Sequence, residues 1–289
     1  MKKIAVLNDL SGMGKCSLTA AIPVISVMGI QACPLPTAVL SAQTGFPSYY
    51  WDDYTDRMDA IMEEWKKMDF YPDGIYTGFL ADARQADKAV EFIEQFAKED
   101  TKILIDPVMG DNGEEYTIYA EALCEKMRFL VRRATVITPN LTEALLLLYG
   151  AQRAHVLWTE LSLMEEERLL KFTESTGKAL SNVFDTEVVI TGIDLHAREN
   201  HQEMGNLICK DGVQTWVSTV KEGGSYSGTG DLFASVLSAG MVKGMDTVDS
   251  VRKAVKFLSK GIHDAVLEGT DRNEGICFER YLSELAAEN

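Results

Sequence analysis

Short stretches with strand character alternate with longer segments of helical periodicity along this chain. Ile4–Leu7, Gly74–Tyr76 and Lys102–Ile105 are each followed by polar residues, as expected for buried strands that end near a surface. Strands at intervals of roughly 30 residues, with helices between them, are typical of a parallel sheet that carries helices on both faces. The pattern therefore predicts an α/β fold with a mostly parallel central sheet.

The same periodicities predict the remaining elements. Further strands are expected at Gln31–Pro34, Thr135–Ile137 and Glu187–Ile190, and a hairpin joins Gly205–Cys209 to Val213–Val220. Helices are expected at Ser17–Met28, Asp56–Lys67, Gln85–Lys98, Leu141–Leu148, Leu163–Asn182, Leu232–Val242, Val248–Leu267 and Phe278–Ala287. No linker, repeat or low-complexity tract interrupts them, so we expect one domain over residues 1–289.

Polar residues with glycine or proline gather where the predicted strands end. These clusters are Asn8-Asp9, Thr77-Gly78, Asp106-Pro107, Thr138–Asn140 and Thr191-Gly192. Ligands of open α/β sheets bind outside the carboxyl ends of the strands. We therefore expect the five clusters to face one crevice.

Gly228-Thr229-Gly230-Asp231, directly followed by an apolar helical segment, carries the clearest chemical signal. The first N–H groups of a helix are free donors at the positive end of its dipole, and glycines let a phosphate approach them. An aspartate in that turn can accept a proton from a hydroxyl group. The segment indicates phosphoryl transfer to an alcohol, although an ordinary helix start with an aspartate in its first turn has the same pattern.

Composition narrows the classes of function. The chain has 289 residues, 46% of them hydrophobic and 25% charged, with a formal net charge of −16. Such an acidic protein lacks the basic footprint of a nucleic-acid partner. It contains no apolar run of 18 residues, and its apolar N-terminal stretch is too short for a signal peptide, so we expect no membrane span and a cytoplasmic location.

The cysteines and histidines do not indicate a metal site. None of the five cysteines forms a CxxC pair, and the four histidines contain no HExxH motif.

The loop after the first strand, Gly12-Met13-Gly14-Lys15-Cys16-Ser17, resembles a P-loop but departs from its pattern. The pattern requires glycine at position 9 and serine or threonine at position 16, where this chain has Asp9 and Cys16. We interpret the segment as a glycine loop that shapes a substrate pocket. Asp9 is then either a hydrogen-bond partner of the substrate or a helix N-cap.

Two further segments place carboxylates near this crevice. Asp106 can hold Mg²⁺ directly or through water, and the flexible Gly110–Gly113 segment can act as a small lid. Asn140 and Glu143 share one face of a first helical turn, where they form a capping box, orient hydrated Mg²⁺ and phosphate, or do both.

These elements in this order resemble the ribokinase-like superfamily of small-molecule kinases, through Gly228–Asp231 and the Asn-x-x-Glu pair of Asn140 and Glu143. Within it the chain is similar to the pyridoxal/pyridoxamine kinase branch over residues 4 to 268. The segments that carry this similarity are 34–41, 77–80, 106–110 and 137–143.

The resemblance implies ATP- and Mg²⁺-dependent phosphorylation of the hydroxymethyl group of pyridoxal, pyridoxine or pyridoxamine by a homodimer. Asp231 would be the base, and Gly228, Thr229 and Gly230 would stabilise the transferred phosphoryl group. Asp106, Asn140 and Glu143 would position metal and phosphate, with Asp106 and Glu143 as metal ligands. Thr191 and Gly192 would contact the nucleotide, and Asp9, Thr44 and Phe79 the substrate ring.

Two departures leave the substrate open. Many pyridoxal kinases have Ser-His where this chain has Asp9-Leu10, and an aspartate at this position is closer to the hydroxymethylpyrimidine kinases of thiamine synthesis. Many pyridoxal kinases also have tyrosine at the position of Phe79. The alternatives are therefore a hydroxymethylpyrimidine kinase, a P-loop NTPase built on Lys15, and a non-catalytic protein that binds the vitamer.

Overall fold

The computed structural model describes residues 1–116, 121–161, 163–195 and 202–286. In these ranges the strands are β1 Lys3–Ser11, β2 Gln31–Leu40, β3 Trp51–Asp53, β4 Gly74–Thr77, β5 Lys102–Ile105, β6 Gly110–Asp111, β7 Glu114–Glu115, β8 Val136–Ile137, β9 Glu187–Leu195, β10 Glu203–Lys210 and β11 Val213–Val220. The helices are α1 Ser17–Val27, α2 Thr55–Lys67, α3 Ala83–Phe96, α4 Glu121–Val131, α5 Leu141–Tyr149, α6 Ala151–Leu161, α7 Glu166–Phe184, α8 Thr229–Lys243 and α9 Thr247–Glu268. Two 3₁₀ segments follow, Arg272–Glu274 and Phe278–Leu285.

The described strands form one large sheet and one small hairpin. The nine strands of the large sheet lie in the order β11-β10-β9-β8-β5-β4-β1-β2-β3, and β6 pairs with β7. From β2 to β9 all neighbouring strands are parallel, whereas β3 at one edge and β10 and β11 at the other are antiparallel. The predicted mostly parallel sheet is confirmed.

Helices cover both faces of this sheet because its strands are buried on both sides. In β1, Ala5 and Leu7 pack into one apolar core with α2 to α7, while Ile4 and Val6 pack into a second core with α1, α8 and α9. Burial on both faces is why the central strands read as continuous apolar runs. None of the described helices is long and apolar enough to cross a bilayer.

Five predicted boundaries need correction. The strand predicted at Ile4–Leu7 continues to Ser11 as β1, so Asn8 and Asp9 lie within the strand and not after its end. Strand β2 continues past Pro34 to Leu40, because its N-terminal half pairs only with β1 and a proline is tolerated where a strand has a free edge. The strand predicted to end at Thr191-Gly192 continues to Leu195 through an irregularity in its pairing with β10. Helix α7 begins at Glu166 rather than Leu163, and Phe278–Leu285 is 3₁₀ rather than α-helical, with Ala287 outside the described residues.

Five elements were not predicted: β3, the β6–β7 hairpin, α4, α6 and the 3₁₀ turn Arg272–Glu274. Three of these strands have only two or three residues, which is too short for an alternating pattern to be recognised.

Candidate active site

The polar residues at the strand ends lie together, as the parallel sheet requires. Asn8 in the C-terminal half of β1 donates from Nδ2 to Oδ1 of Asp231 (3.0 Å), and Thr138 after β8 donates from Oγ1 to Oδ1 of Asp106 (3.0 Å). Asp106 in turn follows β5, and its backbone N–H donates to the carbonyl of Thr77 (2.9 Å). The crevice predicted at the carboxyl edge is therefore built from adjacent strands.

The start of helix α8 borders this crevice. Gly228 is its N-cap and adopts a left-handed conformation with φ of 79°. A Cβ atom at this position would lie 2.2 Å from the carbonyl oxygen of Lys15, so glycine is required both for the conformation and for the close approach. Thr229 is the first residue of the helix, and its hydroxyl donates to the carbonyl of Tyr226 (3.0 Å). The first turn of α8, with its free N–H groups, therefore follows a loop that these two contacts hold in place.

Asp231 lies in this first turn and is held by groups from other elements. Its Oδ1 accepts the Asn8 amide and the hydroxyl of Tyr76 (3.3 Å), and it also accepts the backbone N–H of Ser17. Burial raises the pKa of Asp231 to about 6, with a further increase from the nearby charge of Asp9, while the hydrogen bonds oppose the rise. Asp231 is therefore mostly ionised at neutral pH and can accept a proton.

Asp106 and Glu143 add two buried carboxylates. Burial raises the pKa of Asp106 to about 7, with the charge of Asp231 as the second cause. Burial also raises the pKa of Glu143, and Asp106 adds to that increase. A Cβ atom on Gly230 would lie 4.0 Å from Oδ2 of Asp106, so this carboxylate faces the start of α8.

This donor set fits a magnesium ion that is shared with phosphate. Among the described residues, no three histidine, cysteine, aspartate or glutamate side chains form a preformed metal site. Magnesium usually binds to one or two carboxylates and completes its shell with water and substrate phosphates. Asp106 and Glu143 have no ion-pair partner in the described part of the chain, so a cation bound there would balance their negative charge.

Asn140 and Glu143 form the predicted capping box at the start of α5. Asn140 Oδ1 accepts the N–H of Glu143, and Glu143 Oε2 accepts the N–H of Asn140, both at 2.9 Å. Glu143 Oε1 also accepts the N–H of Met109 (3.1 Å), and Asn140 Nδ2 donates to the carbonyl of Gly110 (2.7 Å). The pair therefore anchors the loop after β5 as well as the helix.

The Gly110–Gly113 segment predicted as a lid is the β6–β7 hairpin. The N–H of Gly113 donates to Oγ1 of Thr142 (2.9 Å), and a Cβ atom on Gly113 would lie 2.1 Å from Cδ1 of Trp158. The hairpin is thus packed closely against α5 and α6. Its role as a lid stays a prediction.

The candidate substrate residues occupy three different environments. Asp9 is buried within β1, where Oδ2 accepts the hydroxyl of Ser11 (2.7 Å). Burial raises its pKa, opposed by hydrogen bonds from Ser17 and Ser11. The alternative of Asp9 as a helix N-cap is wrong, because Cys16 occupies that position in α1.

Phe79 and Thr44 lie at the surface of the same end of the sheet. Phe79 is partly exposed after β4 and packs edge-on against Trp51 of β3, with 5.6 Å between ring centroids. It belongs to neither apolar core, so the interpretation of Phe79 as a core residue is not supported. Thr44 lies in the exposed loop between β2 and β3, next to Gln43, whose amide donates to Asn273.

Thr191 and Gly192 lie beside the α5 cap but not at a strand end. The N–H of Thr191 donates to the carbonyl of Pro139 (3.0 Å), and Thr191 forms an isolated bridge with Asn140. Gly192 is exposed, with φ of 70° in the irregular part of β9. The strand continues, but these residues still border the crevice near Asn140.

Lys15 does not extend toward these groups. Its Nζ donates to the carbonyl of Ile276 (3.2 Å) and pairs with Glu279 Oε2 (3.0 Å) in the C-terminal 3₁₀ segment. A P-loop lysine would have to reach the phosphates, so this geometry argues against a P-loop NTPase.

Sequence reasoning missed the residues that hold the candidate groups in place. Tyr76 lies in the middle of an apolar strand pattern, so nothing in the sequence distinguishes it from a core tyrosine. The sequence identifies Asn8 only as a member of a polar cluster, and Trp51 belongs to a strand too short to predict.

Comparisons with known proteins show that the chain is similar to small-molecule kinases. The family model described as phosphomethylpyrimidine kinase matches residues 14–275. A candidate phosphomethylpyrimidine kinase from Bacteroides thetaiotaomicron, crystallised in an orthorhombic form with pyridoxal, is 36% identical, with a TM-score of 0.87 over 99% of this chain and 96% of that chain.

Two curated relatives are more distant. The hydroxymethylpyrimidine/phosphomethylpyrimidine kinase of Staphylococcus aureus strain MRSA252 is 26% identical over 74% of this chain and 69% of its own length. The pyridoxine kinase of Bacillus subtilis strain 168 is 26% identical over 67% of this chain and 65% of its own length.

Proposed function

This chain belongs to the phosphomethylpyrimidine kinase family, in the pyridoxal kinase branch of the ribokinase-like superfamily, and we propose that it phosphorylates a vitamin B6 vitamer. The proposed reaction transfers a phosphoryl group from ATP to the hydroxymethyl oxygen of pyridoxal, pyridoxine or pyridoxamine. One domain, residues 1–289, would carry both substrates.

The observation that carries this proposal is the position of Asp231. An ionisable carboxylate with a pKa of about 6 lies in the first turn of a glycine-initiated helix, fixed by Asn8 and Tyr76. Its role would be to accept the hydroxymethyl proton as the oxygen attacks phosphorus. General-base catalysis is most effective when the pKa lies near the working pH.

The residues around Asp231 would bind the phosphates. The free N–H groups of Gly228, Thr229 and Gly230 would donate to the oxygens of the transferred phosphoryl group, where negative charge develops. Mg²⁺, held by Asp106 and Glu143 directly or through water, would neutralise phosphate charge. Asn140 would keep that shell in place through the capping box, and Thr191 and Gly192 would contact the nucleotide.

The aromatic pair would bind the substrate ring. A flat heteroaromatic ring gains from stacking on the partly exposed ring of Phe79, and Trp51 supports that ring edge-on. Asp9 and Thr44 would supply polar contacts at the ring edge. The pyridoxal in the Bacteroides crystal form and the pyridoxine kinase among the relatives support a pyridine substrate.

A second candidate is hydroxymethylpyrimidine or its phosphate. The description of the matching family and the Staphylococcus relatives favour it, as does an aspartate rather than a Ser-His pair after β1. Both substrates present a hydroxymethyl group on a flat ring, so the same base and phosphate groups would serve either reaction.

A substrate panel tests the proposal. Purified protein is incubated with ATP, Mg²⁺ and pyridoxal, pyridoxine, pyridoxamine or hydroxymethylpyrimidine, with matched reactions in excess EDTA. We expect the highest kcat/KM with a pyridine vitamer and no turnover in EDTA. Preference for hydroxymethylpyrimidine would establish the second candidate, and binding of pyridoxal without turnover of any substrate would indicate a non-catalytic vitamer-binding protein.

A further inference from the structure

A cavity of about 300 Å³ opens beside the glycine loop that precedes α8. It is lined by Gly224, Ser225 and Tyr226 on one side and by Thr270 and Arg272 on the other. Tyr226 is separated from Gly228 by Ser227 alone. The residues that line this cavity therefore lie directly before the proposed phosphate-binding turn in the sequence. None of the assignments above uses Arg272.

The turn that carries Arg272 is fixed to that loop. The carbonyl of Arg272 accepts the N–H of Ser227 (2.9 Å), and Asp271 Oδ1 caps the 3₁₀ turn by accepting the N–H of Asn273 (2.8 Å). Gln43 Nε2 donates to the carbonyl and Oδ1 of Asn273, at 3.3 and 3.2 Å. The backbone of Arg272 is therefore held between the glycine loop and the loop that carries Thr44.

The guanidinium of Arg272 is available for a ligand. Within the described part of the chain it has no carboxylate at ion-pair distance, whereas Lys15, whose carbonyl lies against Gly228, is paired with Glu279. Arg272 also lies close enough to the β6–β7 hairpin for its charge to oppose the rise that burial produces in the pKa of Asp111.

A cation would offset the negative charge of the buried carboxylates in the crevice. Asp9, Asp106, Glu143 and Asp231 all lie in it, and the polyphosphate of a nucleotide would bring further negative charge. A planar guanidinium can donate two parallel hydrogen bonds to a phosphate and keeps its charge at every relevant pH.

We propose that Arg272 binds a phosphate of the nucleotide in this cavity, beside the N-terminus of α8. This inference rests on the proposed kinase function and deepens it, since it names a phosphate ligand from outside the motifs. It assigns to the turn after α9 a role in selecting nucleoside polyphosphates over the nucleoside.

Calorimetric titration of the whole protein with ATP, ADP and adenosine tests the inference. Arg272→Gln should weaken ATP and ADP binding by about 10- to 100-fold, the range of a lost charge-assisted hydrogen bond, and leave adenosine binding unchanged. Arg272→Lys should recover part of the loss because it restores the charge without the planar fork. Arg252→Gln, an exposed arginine of α9 paired with Asp249, is the matched control and should bind like the parent.

The outcomes separate this inference from the kinase proposal. Equal ADP affinity in the parent and in folded Arg272→Gln would overturn the role of Arg272 and leave the kinase proposal standing. Absence of ATP and ADP binding in the parent would overturn both. If Arg272→Gln weakened only the binding of pyridoxal 5′-phosphate, titrated as a separate ligand, the phosphate would belong to the product and the nucleotide assignment would be wrong. Thermal unfolding of each variant confirms that the titrated protein is folded.

Discussion

Asn8 links three parts of the crevice through one side chain. Its Oδ1 accepts the N–H groups of Phe79 (2.8 Å) and Asp9 (3.0 Å), and its Nδ2 donates to Asp231. A Cβ atom on Gly78 would lie 2.3 Å from Asn8 Nδ2, so that glycine makes room for the amide. The proposed base and the proposed ring platform are therefore positioned by the same residue.

At this scale the sequence predicted candidate catalytic and metal-binding residues but not the residues that position them. Asp231, Asp106 and Glu143 could be recognised because glycine loops, strand ends and capping boxes have local signatures. The partners Asn8 and Tyr76 lie 223 and 155 positions from Asp231, and no local pattern encodes a contact at that separation.

The stacking role of Phe79 leads to a kinetic prediction. Phe79→Ala should raise KM for the vitamer roughly 2- to 10-fold, the range of one aromatic contact, and leave KM for ATP nearly unchanged. Tyr71→Ala, an exposed aromatic residue before the opposite end of β4, is the control and should change neither KM. Lower stability with both KM values unchanged in the folded fraction would contradict a role in substrate binding.

Among the elements, the β6–β7 hairpin shows most clearly how packing outside the motifs shapes the site. The α5 cap holds one side of it through Asn140 and Thr142, and Trp158 of α6 covers its tip at Gly113. Neither helix α6 nor the hairpin was predicted. The contacts that hold them are made with each other and with α5, and such tertiary contacts leave no local pattern in the sequence. The parallel strands were predicted because burial on both faces leaves continuous apolar runs, and most helices were predicted because burial of one face gives a helical period.

A pair of glycine variants tests whether the position of the hairpin matters for turnover. Gly113 and Gly212 both have positive φ, 81° and 76°, but a Cβ atom would strike Trp158 at Gly113 and nothing within 4 Å at Gly212. Each alanine variant should lose about 1 kcal/mol of stability from the left-handed conformation. Only Gly113→Ala should also lower kcat, by roughly 10-fold or more, because displacement of the hairpin opens the site to water.

Tryptophan fluorescence and steady-state kinetics check this prediction. Trp158 emission should change in Gly113→Ala and not in Gly212→Ala. Equal kcat for the two variants would show that the packing of the hairpin against α6 has no part in catalysis.

At the scale of the whole molecule, the buried carboxylates of the crevice lower the stability of the fold when they are ionised. Burial, together with the charge of a neighbouring aspartate, raises the pKa of Asp106 to about 7 and of Asp231 to about 6, from ordinary values of 3.8. Between the ordinary pKa and the raised pKa of each aspartate, the unfolded chain binds fewer protons than the folded chain. The free energy of unfolding therefore falls as pH rises through that interval. The protonated Asp106 carboxyl therefore contributes stability relative to the ionised form. That contribution to the free energy of unfolding is fully present below pH 3.8 and is lost by about pH 7.

Urea unfolding at pH 5 and pH 8, without nucleotide or metal, measures this cost. Asp106→Asn should be more stable than the parent at pH 8, by on the order of 1–3 kcal/mol, and closer to it at pH 5. Asp69→Asn, at an exposed position, should show no such difference between the two pH values. A variant that is destabilised equally at both pH values would show that the Asp106 carboxylate is not unfavourable in the fold.

The central claim is that Asp231 accepts the substrate proton, and the kcat of Asp231→Asn tests it most directly. Asparagine keeps the size and the hydrogen-bond acceptor for Asn8 but loses the basic carboxylate. We expect the variant to fold and to bind ATP and the vitamer with near-parental affinity, while kcat falls by about 10²- to 10⁴-fold. A kcat within a few-fold of the parent would contradict the assignment of Asp231 as the base and most of the proposed mechanism with it.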